Sequence, residues 1–153
     1  MKPKLALAVQ YAIKAESLPN RHQFRKWVLA SLKRDAEITL RLVDEMEGRE
    51  LNRDYRGKDY ATNVLTFPLT DNPVLMGDIV LCAQVVAKEA AEQGISLHAH
   101  YAHLVIHGVL HLQGYDHENE ADADVMEHLE SQIIIKLGYA DPYLIEKEAI
   151  AHG

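Results

Sequence analysis

Cysteine is nearly absent from this chain. Cys82 is alone among 153 residues, so no internal disulfide can form. That fits a reducing compartment. Cys82 lies in the apolar run I-V-L-C-A and reads as a small buried residue rather than a reactive thiol. No stretch approaches the roughly 18 apolar residues of a membrane span. The start, M-K-P-K-L-A-L-A-V-Q-Y, has neither the long apolar run nor the cleavage site of a signal peptide. The expectation is a cytoplasmic protein without a membrane partner. Internal repeats, low-complexity segments and linker-like composition are missing too. The length suits one domain of roughly 100–200 residues, here residues 1–153.

Positive charge is scarce, but only in one part of the chain. Net charge is −7, which alone argues against a nucleic-acid partner. Residues 1–60 nevertheless carry 13 Lys and Arg against 9 Asp and Glu, a balance of +4. Residues 61–153 carry 3 basic and 14 acidic side chains, a balance of −11. Such asymmetry points to a basic binding face on an acidic body. Surfaces charged only for solubility would give the same count.

The hydrophobic pattern alternates early and turns helical later. Leu5, Leu7, Val9 and Tyr11 share one face of a strand. Pro19-Asn20 opens a helix whose core face is Phe24, Trp27, Val28 and Leu32. Glu37 to Asp44 alternates again. Asp44 and Glu47 look like a capping pair for a helix ending near Tyr55, followed by a turn at Arg56-Gly57-Lys58-Asp59. Asn63 to Phe67 reads as a strand stopped by Pro68, Thr70 to Pro73 as a loop, and Gly77 to Leu81 as a strand. A helix follows to Gln93, with Gly94 as its stop. A further helix spans about Ser96 to Gln113. The last spans Glu118 to Leu137, with Met126, Leu129, Ile133 and Ile134 as its core stripe. The tail from Tyr139 carries no strong signal. The predicted fold is α+β: a small mixed sheet of about four strands packed with about five to six helices.

Within the Ser96–Gln113 helix the chain reads H-G-V-L-H-L-Q-G-Y-D-H. His107 and His111, four apart, project from one helix face. Gly114 suits the left-handed residue that often ends a helix, so His117 can swing back toward the first two. Three imidazoles with a position left open is the pattern of a catalytic zinc site. Three unrelated histidines in so apolar a segment would bury costly polar groups to no shared purpose. One class of zinc proteases has the same spacing but carries Glu, the general base, directly after the first His; here that residue is Gly108. A rival ligand set is His103, His107 and His111. A helix face drifts by about 40° every four residues, so three such side chains converge poorly. His98, His100 and His128 read as ordinary surface or partly buried residues.

These residues make a second segment legible: N-R-D-Y-R-G-K-D-Y-A-T-N-V-L-T-F-P, Asn52 to Pro68, with Gly77-Asp78-Ile79 between it and the histidines. Together they resemble the YbeY family of bacterial rRNA maturation factors, over nearly the whole chain. The resemblance implies a zinc-dependent, single-strand-specific endoribonuclease in 16S rRNA 3′-end maturation and ribosome quality control. It implies one zinc ion per chain on His107, His111 and His117, and identifies Arg56 with the family's arginine beside the site. It also implies rRNA and the small ribosomal subunit as partners, with a small-subunit ribosomal protein and an assembly GTPase. Many members have T-D-V-L-S-F-P where this chain has Thr62-Asn63-Val64-Leu65-Thr66-Phe67-Pro68, so a role for an acid at position 63 does not carry over.

A guanidinium matches phosphate oxygens and stays charged, which suits Arg56 to stabilising charge at phosphorus. Without the resemblance, an ion pair with Asp54 or Asp59 would be the first reading of that arginine. Lys58, Arg53 and Arg49 are candidates for a phosphate track. Asp116 is a candidate for orienting a ligand or assisting proton transfer, or else a turn acid, and Asp78 is a similar case. The competing functions are another zinc hydrolase such as a peptidase, and a non-catalytic ribosome assembly factor with a supporting zinc.

Overall fold

The structure is a computed structural model that describes residues 2–14, 17–116 and 119–144. Nine elements follow in chain order: β1 Leu5–Tyr11, α1 Arg21–Ser31, β2 Ala36–Val43, α2 Glu45–Arg56, β3 Val64–Thr70, β4 Leu75–Cys82, α3 Ala83–Gln93, α4 Leu97–Leu112 and α5 Glu120–Lys136. A helical turn at 142–144 follows. The four strands form one sheet in the order β1-β2-β4-β3. β1, β2 and β4 run parallel, and β3 runs antiparallel to β4. This is the expected α+β arrangement with a mixed sheet.

Alternation sorts the strand residues between two faces. Ile38, Leu40 and Leu42 of β2, with Ile79 and Leu81 of β4, face a core shared with Phe24, Trp27 and Val28 of α1 and Leu104 to Leu110 of α4. The opposite face holds a smaller cluster of Val43, Leu65, Val80 and Cys82 under Leu51 of α2 and Val85 of α3. Cys82 is therefore buried as expected, and burial raises its thiol pKa. Among the described residues, no helix is long and apolar enough to cross a membrane.

α4 is apolar nearly all round because it is enclosed by α1, α3, α5 and the sheet. Two glycines let it approach the strands closely. A Cβ at Gly77 would lie 2.6 Å from Leu112 Cδ2, and one at Gly108 would lie 3.1 Å from Ile79 Cδ1 and 3.4 Å from Thr66 Cγ2.

Several boundaries differ from the sequence expectation. β3 does not stop at Pro68 but continues to Thr70, with a register shift between Pro68 and Thr70. It is an edge strand, where a proline's missing N–H need not interrupt a ladder. β4 begins at Leu75, two residues before the expected Gly77. Asp44 caps α2, accepting from Glu47 N at 2.9 Å, but the side chain of Glu47 turns to Arg41 at 2.6 and 3.0 Å instead of closing the box. The reciprocal box is at α1, where Asn20 and Gln23 exchange bonds of 2.9 Å. At the other edge, Arg21 and Arg25 donate to the carbonyls of Val9 and Leu5, each at 3.2 Å. α5 starts at Glu120 with Asn119 as its cap; the expected start, Glu118, lies outside the described residues.

Candidate active site

Four-residue spacing places His103, His107 and His111 along one stripe of α4. The His107 and His111 rings lie parallel, with centroids 6.4 Å apart and planes 4° apart. His107 Nδ1 donates to Glu130 Oε1 at 2.5 Å, and His111 Nδ1 donates to the carbonyl of Tyr115 at 3.1 Å. Both partners can only accept, so the proton of each ring is assigned to Nδ1. Nε2 then carries the lone pair on both rings, which is the form that binds a metal.

The Tyr115 carbonyl is delivered by the end of α4. Gly114, at φ 99°, takes the left-handed conformation, and Tyr115 N donates to Leu110 O at 3.2 Å. The turn leads to Asp116, half-buried, which has polar partners of its own. His117 lies outside the described residues, so the third expected ligand is not placed. Among the described residues, no three His, Cys, Asp or Glu group into a metal set.

Glu130 was not anticipated. Its side chain is 0% exposed. Oε1 receives the His107 bond and lies 3.9 Å from His103 Nε2, while Oε2 accepts from the hydroxyl of Tyr143. Burial alone would raise the carboxyl pKa, but the imidazoles of His103 and His107 outweigh it and hold the group at about 2. His103 also sits 3.3 Å from Tyr143 OH and stacks edge-on against that ring. It therefore belongs to the layer behind His107, which weakens the rival ligand set. The tail also carries more structure than its sequence suggested. Asp141 accepts from Ser131 Oγ at 2.9 Å and from Tyr143 N at 3.0 Å, which folds Tyr143 back onto α5.

The remaining sequence candidates divide. Arg56 is the last residue of α2 and exposed, with Gly57 left-handed at φ 70° after it. The acids first considered as its partners are taken by its neighbours. Arg49 binds Asp59 through two bonds of 2.8 and 2.9 Å, and Arg53 meets Asp54 at 3.5 Å. Exposed pairs of this kind add little stability, but they leave Arg49 and Arg53 less free for phosphate than Lys58, which is exposed. β3 packs against both α2 and α4 through adjacent residues. Tyr55, beside Arg56, packs on Phe67 with centroids 5.2 Å apart. On the strand's other face Thr66 lies against Gly108, beside His107. Phe67 faces the α2 side of the sheet and Thr66 the α4 side, so these two contacts lie on opposite faces of β3. Asp78 sits on the sheet face opposite α4, paired in register with Phe67 and Thr39, so it does not support the imidazoles. His98 packs on Trp27, and His128 is exposed, as expected. His100 differs from expectation: it is 4% exposed and bonded to Glu89 at 2.9 Å.

Glu130 was legible in principle. It lies four residues after Met126 and four before Ile134, on the buried stripe of α5. A carboxylate at such a position calls for a partner.

The mixed sheet and the imidazole–carboxylate cluster define a small α+β protein with a polar centre on one enclosed helix. Residues 10–138 match the family model described as Endoribonuclease YbeY, and the chain belongs to that family. It is 66% identical over 145 residues to Endoribonuclease YbeY of Methylobacillus flagellatus, covering 95% of this chain and 97% of that protein. It is 59% identical over 143 residues to the Nitrosomonas europaea protein of the same name, covering 94% and 87%. A Thermotoga maritima protein solved in solution superposes with a TM-score of 0.58 at 31% identity, covering 82% of this chain and 86% of that one. The protein is thus an endoribonuclease, a hydrolase acting on RNA.

Proposed function

We propose that this endoribonuclease is zinc-dependent and cuts single-stranded rRNA, in 16S rRNA 3′-end maturation and ribosome quality control in the cytoplasm. The observation that carries the zinc reading is the matched pair of imidazoles on α4. Both have Nδ1 tied to an acceptor and the same tautomer, with rings parallel at 6.4 Å. That donor chemistry fits zinc. His107, His111 and His117 would hold one ion. When bound, zinc supplies Lewis acidity at a phosphoryl oxygen and activates water at neutral pH.

The protein's own groups do the rest. Glu130 and the Tyr115 carbonyl keep the two imidazoles oriented. Arg56 would bind the phosphate and meet the negative charge that grows there. Lys58 adds positive charge two residues after Arg56, with Arg53 secondary because it already meets Asp54. Asp116 would orient His117 or pass a proton. The small ribosomal subunit supplies the substrate, and a small-subunit ribosomal protein and an assembly GTPase are the partners proposed. A peptidase is disfavoured because the position that carries the general base in the proteases is Gly108, which has no side chain to supply one.

The test is cleavage of a single-stranded rRNA 3′-end fragment by zinc-loaded protein, with metal content assayed alongside. Wild type should cut, Arg56→Ala should keep its zinc and lose cutting, and His107→Ala should lose both. Equal RNA binding by all three without cutting above background would overturn the reading in favour of an assembly factor.

A further inference from the structure

We infer that Glu130 is the positioning residue for His107, and that Tyr143 of the C-terminal segment holds Glu130 in place. The inference rests on the zinc reading above and deepens it. It assigns a role to two residues and a segment that carry no ligand.

The starting point is a cost. A carboxylate with 0% side-chain exposure sits in the middle of a helix, on the same stripe as Met126 and Ile134. Removing a charge from water is unfavourable, and an apolar residue of similar volume usually serves a core better. Glu130 is instead satisfied on both oxygens, by His107 on Oε1 and by Tyr143 on Oε2. His103 closes the same space, near both Oε1 and the tyrosine hydroxyl.

The bond to Nδ1 does two things to His107. It fixes the ring proton and the ring plane, and its negative charge makes Nε2 a better electron-pair donor. The corresponding Nδ1 bond of His111 goes to a neutral carbonyl. The carboxylate bond therefore makes the support of the two Nδ1 atoms unequal. A carboxylate with one bonded oxygen could still rotate about its last torsion. The Tyr143 hydroxyl on Oε2 removes that freedom. Tyr143 is in turn fixed by Asp141, which ties the turn at 142–144 to Ser131 of α5. The segment after α5 thereby reaches the histidine helix through one tyrosine.

The experiment measures zinc affinity of the full chain by competition with a chromophoric chelator. Melting of the metal-free protein and the visible spectrum of the cobalt form accompany it. Glu130→Gln keeps the shape and an oxygen that can accept from Nδ1, but removes the charge. It should weaken zinc binding by about 10–100-fold and shift the cobalt bands, a larger loss of affinity than any fall in metal-free melting accounts for. Tyr143→Phe should move affinity and spectrum in the same direction by less, and Glu89→Gln should move neither. Unchanged affinity and spectrum in both Glu130→Gln and Tyr143→Phe would overturn the inference. Loss of affinity that tracks a fall in metal-free melting across all three variants would overturn it too, as a general loss of structure. If wild type itself takes up no zinc, the zinc reading fails instead, and that pattern is distinct.

Discussion

Two imidazole–carboxylate pairs lie seven residues apart on α4, and they are wired in opposite senses. His100 uses Nε2, bonded to Glu89 at 2.9 Å, and its Nδ1 is buried with no hydrogen-bond partner among the described residues. His107 uses Nδ1, bonded to Glu130 at 2.5 Å, and is 26% exposed. The first pair bonds the ring through Nε2 and the second through Nδ1. The amino-acid types are the same in both. A carboxylate on Nδ1 leaves Nε2 as the nitrogen with the lone pair, which is the form the proposed zinc site needs; a carboxylate on Nε2 does not. The Glu89 pair joins α3 to α4, and Asn63 extends it to the start of β3 through bonds of 3.0 and 3.3 Å.

The largest contrast is expected from deleting each histidine. His107→Ala should abolish zinc uptake, whereas His100→Ala should leave one zinc per chain; metal analysis of the purified variants would decide. Equal loss in both would erase the distinction. Glu89→Ala comes next. It strands His100 Nε2 in the core, which costs about 1–3 kcal/mol, so the denaturation midpoint should fall with zinc affinity unchanged. Asn63→Asp is smaller. It sets a second carboxylate beside Glu89, a like-charge contact of about 1 kcal/mol in a watery dielectric, and should relax at low pH as the acids protonate. An effect that grew at low pH would contradict this account. Gly108→Ala should change stability least. Its helix propensity gains about 1 kcal/mol, set against the 3.1 Å approach to Ile79, so urea unfolding should shift by well under that amount. A loss of several kcal/mol would mean that α4 cannot yield at that point.

Much of the fold could be read from periodicity, because strands and helices each bury one regular stripe. Leu5 to Tyr11 and Phe24 to Leu32 fell where alternation and 3.6-residue spacing put them. Pro68 misled because its meaning depends on whether a strand is an edge, which is a property of the sheet. Glu47 misled because its competitor, Arg41, arrives from a neighbouring strand. At the site, the histidine spacing was local and therefore visible. Its support was not. Glu130 stands 23 residues from His107 and Tyr143 stands 40 from His103, so only the packing of α5 and the tail on α4 joins them. His100 was misjudged for the same reason, since Glu89 belongs to the preceding helix. The charge balance hinted at a basic face but could not show that Asp54 and Asp59 already engage Arg53 and Arg49.

The two guanidinium bonds from α1 to β1 have a consequence beyond the helix they anchor. β1 ends the sheet, and its outward carbonyls at Leu5 and Val9 are among those a visiting strand would need. Arg21 and Arg25 occupy both, one helical turn apart, and plant positive charge where a second backbone would dock. The opposite border carries Pro68 and a slipped register. Each margin of the sheet is thus guarded by a different device, so newly made chains meeting at high concentration find neither border ready for strand-to-strand growth into aggregates.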